Sequence, residues 1–261
     1  MRTQRYLLLL MVFAIFLSSC KKSSTGNSTE TPTTKPKYLT QIISVETGPA
    51  FLGSHVTTSN IYYTYDSKKR LSTVKNSDNS LITYVYKDDG NLFSTTRTNA
   101  NGTMQGYNEF TYEGGKLTSY TSKGYRNNAV TSETTYTYVY NGDRATELHF
   151  DVYYQLFTYD SNGNLTKIFN HGQPDYSIVY SYDNKKNKFI NSPFKYPVPG
   201  DNERLSPNNR TTSTTEGLSQ NILTTNTYVY DSDGYPIAGT QNTDYVNSSS
   251  YKYTYIYSTL E

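Results

Sequence analysis

A single cysteine, no tryptophan, three histidines and no surplus of either charge mark this 261-residue chain. One cysteine can build neither a disulfide framework nor a thiolate zinc site. Lys and Arg number 24 against 22 Asp and Glu; 24 less Arg2 and Arg5, which lie in a segment read below as cleaved, leaves 22 against 22. A neutral chain offers no clustered basic footprint for nucleic acid. Large apolar side chains are scarce too, Leu, Ile, Val and Phe making about a fifth of the residues, near the level that signals disorder. What fills the deficit is 29 Tyr and abundant Thr, both strand formers, and a net charge near zero also argues for folding. The length suits one large all-β domain or two small ones.

Motifs that would carry chemistry are missing as well. His55, His149 and His171 stand apart, with no second ligand at a spacing such as HExxH. No G-x-S-x-G elbow, phosphate loop or dinucleotide fingerprint occurs, so no catalytic residue, metal or cofactor is expected. Two acidic turns, Asp160 to Asn164 and Asp231 to Gly234, share residue types with calcium loops. Neither has the glycine at position 6 or the bidentate acid of an EF-hand, and turn formation explains their Asp and Gly.

The N-terminus reads as an address. Arg2 and Arg5 precede an apolar run from Tyr6 to Leu17, followed by Leu17-Ser18-Ser19-Cys20. A basic start, about a dozen apolar residues and small residues before a break form a secretory signal, too short for a permanent transmembrane helix. Leu17-Ser18-Ser19-Cys20 resembles a bacterial lipobox. That resemblance implies cleavage between Ser19 and Cys20 and acylation of Cys20, anchoring the chain in the bilayer by several acyl chains rather than one. The alternative is an ordinary signal peptide with an incidental cysteine. Residues 1–19 are thus read as signal and residues 20–37 as acylated Cys and tether. Lys21 to Lys37 carries nothing apolar larger than Pro, so it cannot bury surface to offset ordering entropy. Extended, it spans ~55 Å. Lys21 and Lys22 stand where surface-exported lipoproteins of the Bacteroidota often carry acids, which leaves periplasmic and surface-facing locations both open.

From Ile61 onward one pattern returns: aromatic, any residue, Tyr, a polar turn, then usually Leu. It appears as YTYDSKKRL (63–71), YVYKDDGNL (84–92), FTYEGGKL (110–117), YVYNGDRATEL (138–148) and FTYDSNGNL (157–165), then YSYDNKKNKF (180–189), YVYDSDGYP (228–236) and YKYTYIY (251–257). Spacings of the second Tyr run from 19 to 28 residues, with one gap of 48, so each copy is one supersecondary unit. Each reads as a β-hairpin. A type I turn with Gly163 in the left-handed region closes Asp160 against Asn164 and sets Tyr159 opposite Leu165. A two-residue primed turn at Gly114-Gly115 closes Glu113 against Lys116 and sets Tyr112 opposite Leu117. Lys69 and Lys186 occupy the glycine position of their copies, where an L side chain disfavours the left-handed conformation the turn needs. Alternation puts Tyr136, Tyr138 and Tyr140 on one face and Thr137 and Val139 on the other, and does the same for Tyr251, Tyr253, Tyr255 and Tyr257. The chain from 38 to 261 is therefore expected to be all-β: a long antiparallel meander of repeated hairpins, twisted into a barrel, half-pipe or spiral with a tyrosine-rich face inward. Its first strand should include Gln41 to Val45.

Tyr-x-Tyr-Asp-x-x-Gly-x-Leu is similar to the YD repeat of the Rhs proteins, best at FTYDSNGNL. With the lipobox and the stretch YDNKKNKF…SPF…LSPNN, the chain resembles a family of Bacteroidota lipoproteins of unknown function. The resemblance implies fold and anchoring. It does not imply the toxin-wrapping of Rhs shells, which use many more repeats and a C-terminal core region.

One region breaks the rhythm. Residues 189–212 carry Pro193, Pro197, Pro199, Gly200 and Pro207 among Phe194, Tyr196 and Val198. Proline cannot donate to a ladder, so this is an excursion from the sheet, either a plug at one end or a binding loop with Phe194 and Tyr196 as contact residues. Functionally, the chain reads as a non-catalytic, envelope-anchored module in the outer membrane that binds or scaffolds a glycan or an envelope protein. The alternative is a hydrolase of envelope polymers whose carboxylates are dispersed along the chain. Two acids converging in a deep cleft would mark the enzyme, and an aromatic face or plugged barrel the binding module.

Overall fold

The computed structural model describes residues 35–49, 55–192, 202–245 and 248–261. Ser19, Cys20 and the rest of the leader lie outside the described residues, as do Phe194 and Tyr196. The first eight strands are β1 (Tyr38–Thr47), β2 (Val56–Tyr65), β3 (Leu71–Asn76), β4 (Leu81–Tyr86), β5 (Leu92–Thr98), β6 (Met104–Glu113), β7 (Lys116–Arg126) and β8 (Ala129–Asn141). The second eight are β9 (Arg144–Phe150), β10 (Tyr153–Tyr159), β11 (Leu165–His171), β12 (Tyr176–Lys186), β13 (Asn208–Glu216), β14 (Ile222–Tyr230), β15 (Pro236–Asp244) and β16 (Ser250–Ser258). Each pairs antiparallel with its sequence neighbours, and β1 pairs with β16, so the 16 strands close into a barrel. Of the three shapes the sequence allows, closure is the one that leaves no strand edge unpaired.

The turns follow the repeat. Tyr159 opposes Leu165 and Tyr112 opposes Leu117, with Glu113 against Lys116. Gly163 has φ +90°, and Gly114 and Gly115 have φ +58° and +80°, the left-handed values that a glycine meets without strain. A β-branched residue at Gly115 meets the full penalty. We expect Gly115→Val to lower stability by about 1–3 kcal/mol and Ser161→Val to change it far less, measured as paired urea midpoints; equal losses would contradict the turn geometry. Lys69 takes the glycine position with φ +62° and keeps the same turn, its N–H donating to the Asp66 carbonyl at 2.9 Å. Lys186 does not: it extends β12 and pairs with Asn208, and the excursion replaces the turn. In the copy at 138–148 the residue opposite Tyr140 is Ala145, while Leu148 sits opposite Tyr138.

A shared device links neighbouring copies. The hydroxyl of Tyr65 donates to the Leu39 carbonyl at 2.7 Å, Tyr86 to Leu71 at 2.8 Å, Tyr140 to Leu117 at 2.7 Å, Tyr159 to Ala145 at 3.0 Å and Tyr182 to Leu165 at 2.6 Å. In each case the accepting carbonyl lies beyond the end of the ladder between those two strands; the β3–β4 ladder, for instance, runs only from Thr73 to Lys75. A buried carbonyl with no ladder partner needs another donor. The ring fills the core and the hydroxyl satisfies the backbone, which is why Tyr serves here where Phe would not. Burial pushes Tyr86, Tyr159 and Tyr182 up to about 12, keeping them neutral donors.

The interior holds two apolar clusters. One gathers Phe110, Leu117, Tyr120, Tyr138, Leu148, Leu165 and Ile168 from β6–β11; the other gathers Leu39, Ile42, Tyr63, Leu71, Val74 and Tyr255 from β1–β3 and β16. The outer wall is mixed: exposed Lys75, Glu109, Glu133, Lys167 and Lys252 with Thr135, Thr137 and Thr254 alternate with exposed Val85, Val139, Val229, Ile237 and Ile256. Lys123 and Glu133 pair across β7 and β8 at 3.2 Å. A membrane-spanning barrel has an apolar band outside and a polar lumen, and a Lys at mid-bilayer on the lipid face costs about 2–4 kcal/mol. Among the described residues no helix is long and apolar enough to cross a membrane.

Candidate lumenal binding site

The excursion between β12 and β13 shapes the site. Its described flanks turn into the barrel: Asn187 to Ser192 form tight turns, and Asn202–Leu205 forms one turn of 3-10 helix. Asn187 organises both. Its Nδ2 donates to the carbonyls of Glu203 and Asn208, each at 3.0 Å, and its Oδ1 accepts from the Phe189 N–H at 2.7 Å. Phe189 is 5% exposed and meets the Tyr63 ring edge-on at 5.8 Å. The Arg204 guanidinium, from a residue 4% exposed, stacks 4.3 Å from the centre of the Phe189 ring. Leu205 packs on the cluster of β6–β11. These flanks fill the end of the barrel where the repeat turns lie, as a plug.

Above the plug the lumen stays open in a cavity of about 350 Å³, within the ~300–1,000 Å³ range of small-molecule sites. Its walls are aromatic and aliphatic: Tyr63, Tyr84, Tyr228, Tyr253 and Tyr255 with Ile42, Ile61, Val74 and Ile82. Asn76, Asn226, Gln241 and Ser44 add polar points. Tyr253 donates its hydroxyl to Gln241 Oε1 at 2.9 Å, orienting that amide. A second hole of about 10 Å³ between Tyr180, Asn187 and Arg210 has room for about one water.

The floor is charged. Lys188 Nζ lies 2.6 Å from Glu203 Oε2, and Arg210 lies 3.1 Å from Glu203 Oε1. Burial alone would raise the Glu203 pKa, but the Lys188 ammonium and the Arg210 guanidinium outweigh it and hold the carboxyl at about 2. The Lys188 side chain is 11% exposed and that of Glu203 36%, so the carboxylate is enclosed by protein yet touches the cavity. It is ionised at any physiological pH. Among the described residues, the cavity lining contributes this one acid.

The residues singled out from the sequence fare differently. The repeat tyrosines are core residues as expected, and a subset of them also faces the cavity. Arg204, Lys188 and Glu203 escaped sequence reading because nothing in KKNKF or DNERL marks them as lumenal; only the excursion itself signalled the place. Asp160 and Asp231 serve their turns, Asp160 Oδ1 accepting from the Asn164 N–H at 2.8 Å and Asp231 Oδ1 from the Tyr235 N–H at 2.9 Å. The register brings His149 and His171 together on the outer wall, stacked on either side of Tyr154 at 5.7 and 4.5 Å between ring centres. Their acid neighbours are Glu147 at 2.7 Å and Asp175 at 3.0 Å. Among the described residues no group of three or more His, Cys, Asp or Glu is arranged to hold a metal.

Solved structures share this fold, two porin-like proteins among them. A porin-like protein from Bacteroides uniformis ATCC 8492 matches with a TM-score of 0.55 at 15% identity, over 84% of this chain and 96% of that one. A porin-like protein from Bacteroides vulgatus ATCC 8482 matches with a TM-score of 0.52 at 13% identity, over 86% of this chain and all of that one. The TcdB2-TccC3-TEV structure matches with a TM-score of 0.23 at 13% identity, over 76% of this chain and 14% of that one. No family model matches the chain, and no curated protein matches it in sequence. At these identities the likeness is one of fold.

Proposed function

We propose that this protein is a non-catalytic binding barrel of the bacterial cell envelope, anchored to the outer membrane through acylated Cys20 and taking a small ligand in its lumen. The observation that carries the reading is the plugged barrel with a cavity of about 350 Å³ above the plug. The repeat tyrosines Tyr63, Tyr84, Tyr228, Tyr253 and Tyr255 look into this cavity, which favours a small ligand, such as a glycan unit, over an envelope protein. The hydrolase alternative needs two carboxylates with separated pKa values flanking a substrate, whereas the described lining offers one, already ionised at about 2 and held by two cations. The porin-like Bacteroides folds support an envelope location, and the charges exposed on the outer wall, Lys75, Glu109, Glu133, Lys167 and Lys252, support anchoring by lipid rather than by the strands themselves.

One preparation tests both halves. Cys20→Ala should abolish metabolic lipid labelling and move the protein out of the membrane fraction; unchanged labelling would refute the anchor. The released Cys20→Ala protein should bind the neutral dye N-phenyl-1-naphthylamine with a rise in fluorescence, and Ser44→Phe, which projects a ring into the cavity, should weaken that binding at least tenfold. Binding indifferent to Ser44→Phe would place the dye outside the lumen and defeat the lumenal reading.

A further inference from the structure

We infer that Asn226 and Gln241 form a neutral donor pair that holds an uncharged carbonyl oxygen of the lumenal ligand, the acetamido oxygen of a sugar, an inference that rests on the lumenal reading above. Asn226 on β14 is 9% exposed and lines the cavity. Its Nδ2 is buried and meets no acceptor among the described residues. A buried amide N–H without a partner costs free energy, so its presence calls for a reason. The next strand supplies one. Gln241 on β15 stands directly opposite Asn226 in the ladder and lines the same cavity. Two amide side chains therefore leave the wall side by side, with Cβ atoms ~4.5–5.5 Å apart. Gln241 Oε1 already accepts from the Tyr253 hydroxyl at 2.9 Å, and burial, which pushes Tyr253 up to about 12, keeps that hydroxyl a donor. With its oxygen taken, Gln241 has its NH2 to offer. Asn226 offers the same group, brought to the lumen by a turn about χ2, which is soft in an amide.

A carbonyl oxygen fits two adjacent donors. It accepts twice and brings no hydrogen that would need an acceptor of its own where Gln241 Oε1 is taken. Tyr253 fixes the Gln241 amide before any ligand arrives, and a donor held in place loses little freedom on binding. The ring of the ligand has its surface beside the pair. Tyr253 and Tyr255 stack at 6.1 Å, and Tyr228, two residues along β14 from Asn226, lies 6.5 Å from Tyr255. Aromatic faces next to amide donors suit a ring with an apolar face and a carbonyl substituent, which is the chemistry of an acetamido sugar.

Two dyes with one ring system isolate the carbonyl. The Cys20→Ala protein would be titrated with 6-propionyl-2-dimethylaminonaphthalene and with its 6-propyl analogue, in which a methylene replaces the carbonyl. Asn226→Leu and Gln241→Met, which keep side-chain size and remove the donors, should each lower the ratio of carbonyl-dye to propyl-dye affinity by about threefold, and together by about tenfold. The bound carbonyl dye should also emit further to the red with the donor pair intact than in the double variant, because hydrogen bonds to its oxygen stabilise the excited state. With the pair intact, N-acetylglucosamine should displace the carbonyl dye at least about threefold better than glucose, which lacks the acetamido group. A ratio or an emission maximum unmoved by the double variant overturns the inference while leaving lumenal binding intact. Equal displacement by the two sugars, or displacement by neither, overturns it without recourse to a variant. Loss of Ser44→Phe sensitivity for both dyes would instead overturn the lumenal reading.

Discussion

Glu203→Gln should lower stability at neutral pH by about 3 kcal/mol, a fall of ~6–12 °C in melting temperature for a domain of this size. The substitution keeps the shape of the side chain and removes its charge. Lys188, with its side chain 11% exposed, and Arg210 then share an enclosed space without the carboxylate that both contact. Removing one partner of a buried ion pair costs about 3–5 kcal/mol because the other charge is left unneutralised. The lower end applies here, since cavity water reaches Glu203 and screens part of the loss. The pH dependence carries the same signature. Because the folded-state pKa of Glu203 is depressed from 4.5 to about 2, its contribution is present in full above about 4.5 and is lost as pH falls through about 2. The gap between wild type and Glu203→Gln, measured by urea denaturation from pH 7 to pH 2, should therefore be widest at neutral pH and narrow below about pH 4. A constant gap across that range would mean that the side chain contributes by shape alone.

A second large loss is expected at Leu165. Its side chain is fully buried, its N–H donates to Ser206 Oγ at 3.1 Å and its carbonyl accepts from Tyr182 at 2.6 Å. It stands at the Leu position of the most regular repeat, opposite Tyr159 and beside Ile168 in the larger cluster. Leu165→Ala leaves a cavity that a closed 16-strand barrel cannot easily collapse, because every strand is held on both sides. We expect a loss of about 3–4 kcal/mol. Tyr182→Phe removes only the hydroxyl and should lose about 1 kcal/mol. Chemical denaturation of the two variants separates packing from hydrogen bonding within one repeat. If Tyr182→Phe cost more than Leu165→Ala, the hydroxyl-to-carbonyl links rather than the apolar cluster would be the main bond between copies.

Much of this architecture is legible along the chain because it depends on neighbours in sequence. A hairpin is a local object: Asp160, Gly163 and the Gly114-Gly115 pair dictate where the chain reverses, and the strand period of two then decides which residues face inward. The Tyr–Leu register follows from those two facts alone. Lys69 kept its turn at the cost of a left-handed lysine, while the turn expected at Lys186 was replaced by the excursion. Local preference could not separate these two cases, because what decides them is what the plug does inside the barrel.

Long-range matters needed the folded chain. Sequence alone established a meander of tyrosine-faced hairpins, an N-terminal segment with the pattern of a lipid anchor, and an interruption between Phe189 and Thr212. Each follows from short-range chemistry: turn residues, side-chain alternation, and proline's missing N–H. Only the tertiary structure decided that β1 meets β16, since closure depends on strand twist accumulated over the whole sheet. Likewise, the Tyr hydroxyls reach carbonyls that ladders leave free, a fact set by where each pairing stops. The plug brings Lys188, Glu203 and Arg204 to the barrel interior across intervals of 15 and 16 residues, and β13 adds Arg210. Charges that look like an ordinary solvated run in sequence become the floor of a cavity, because burial and mutual distance, not residue type, determine what a charged side chain can do.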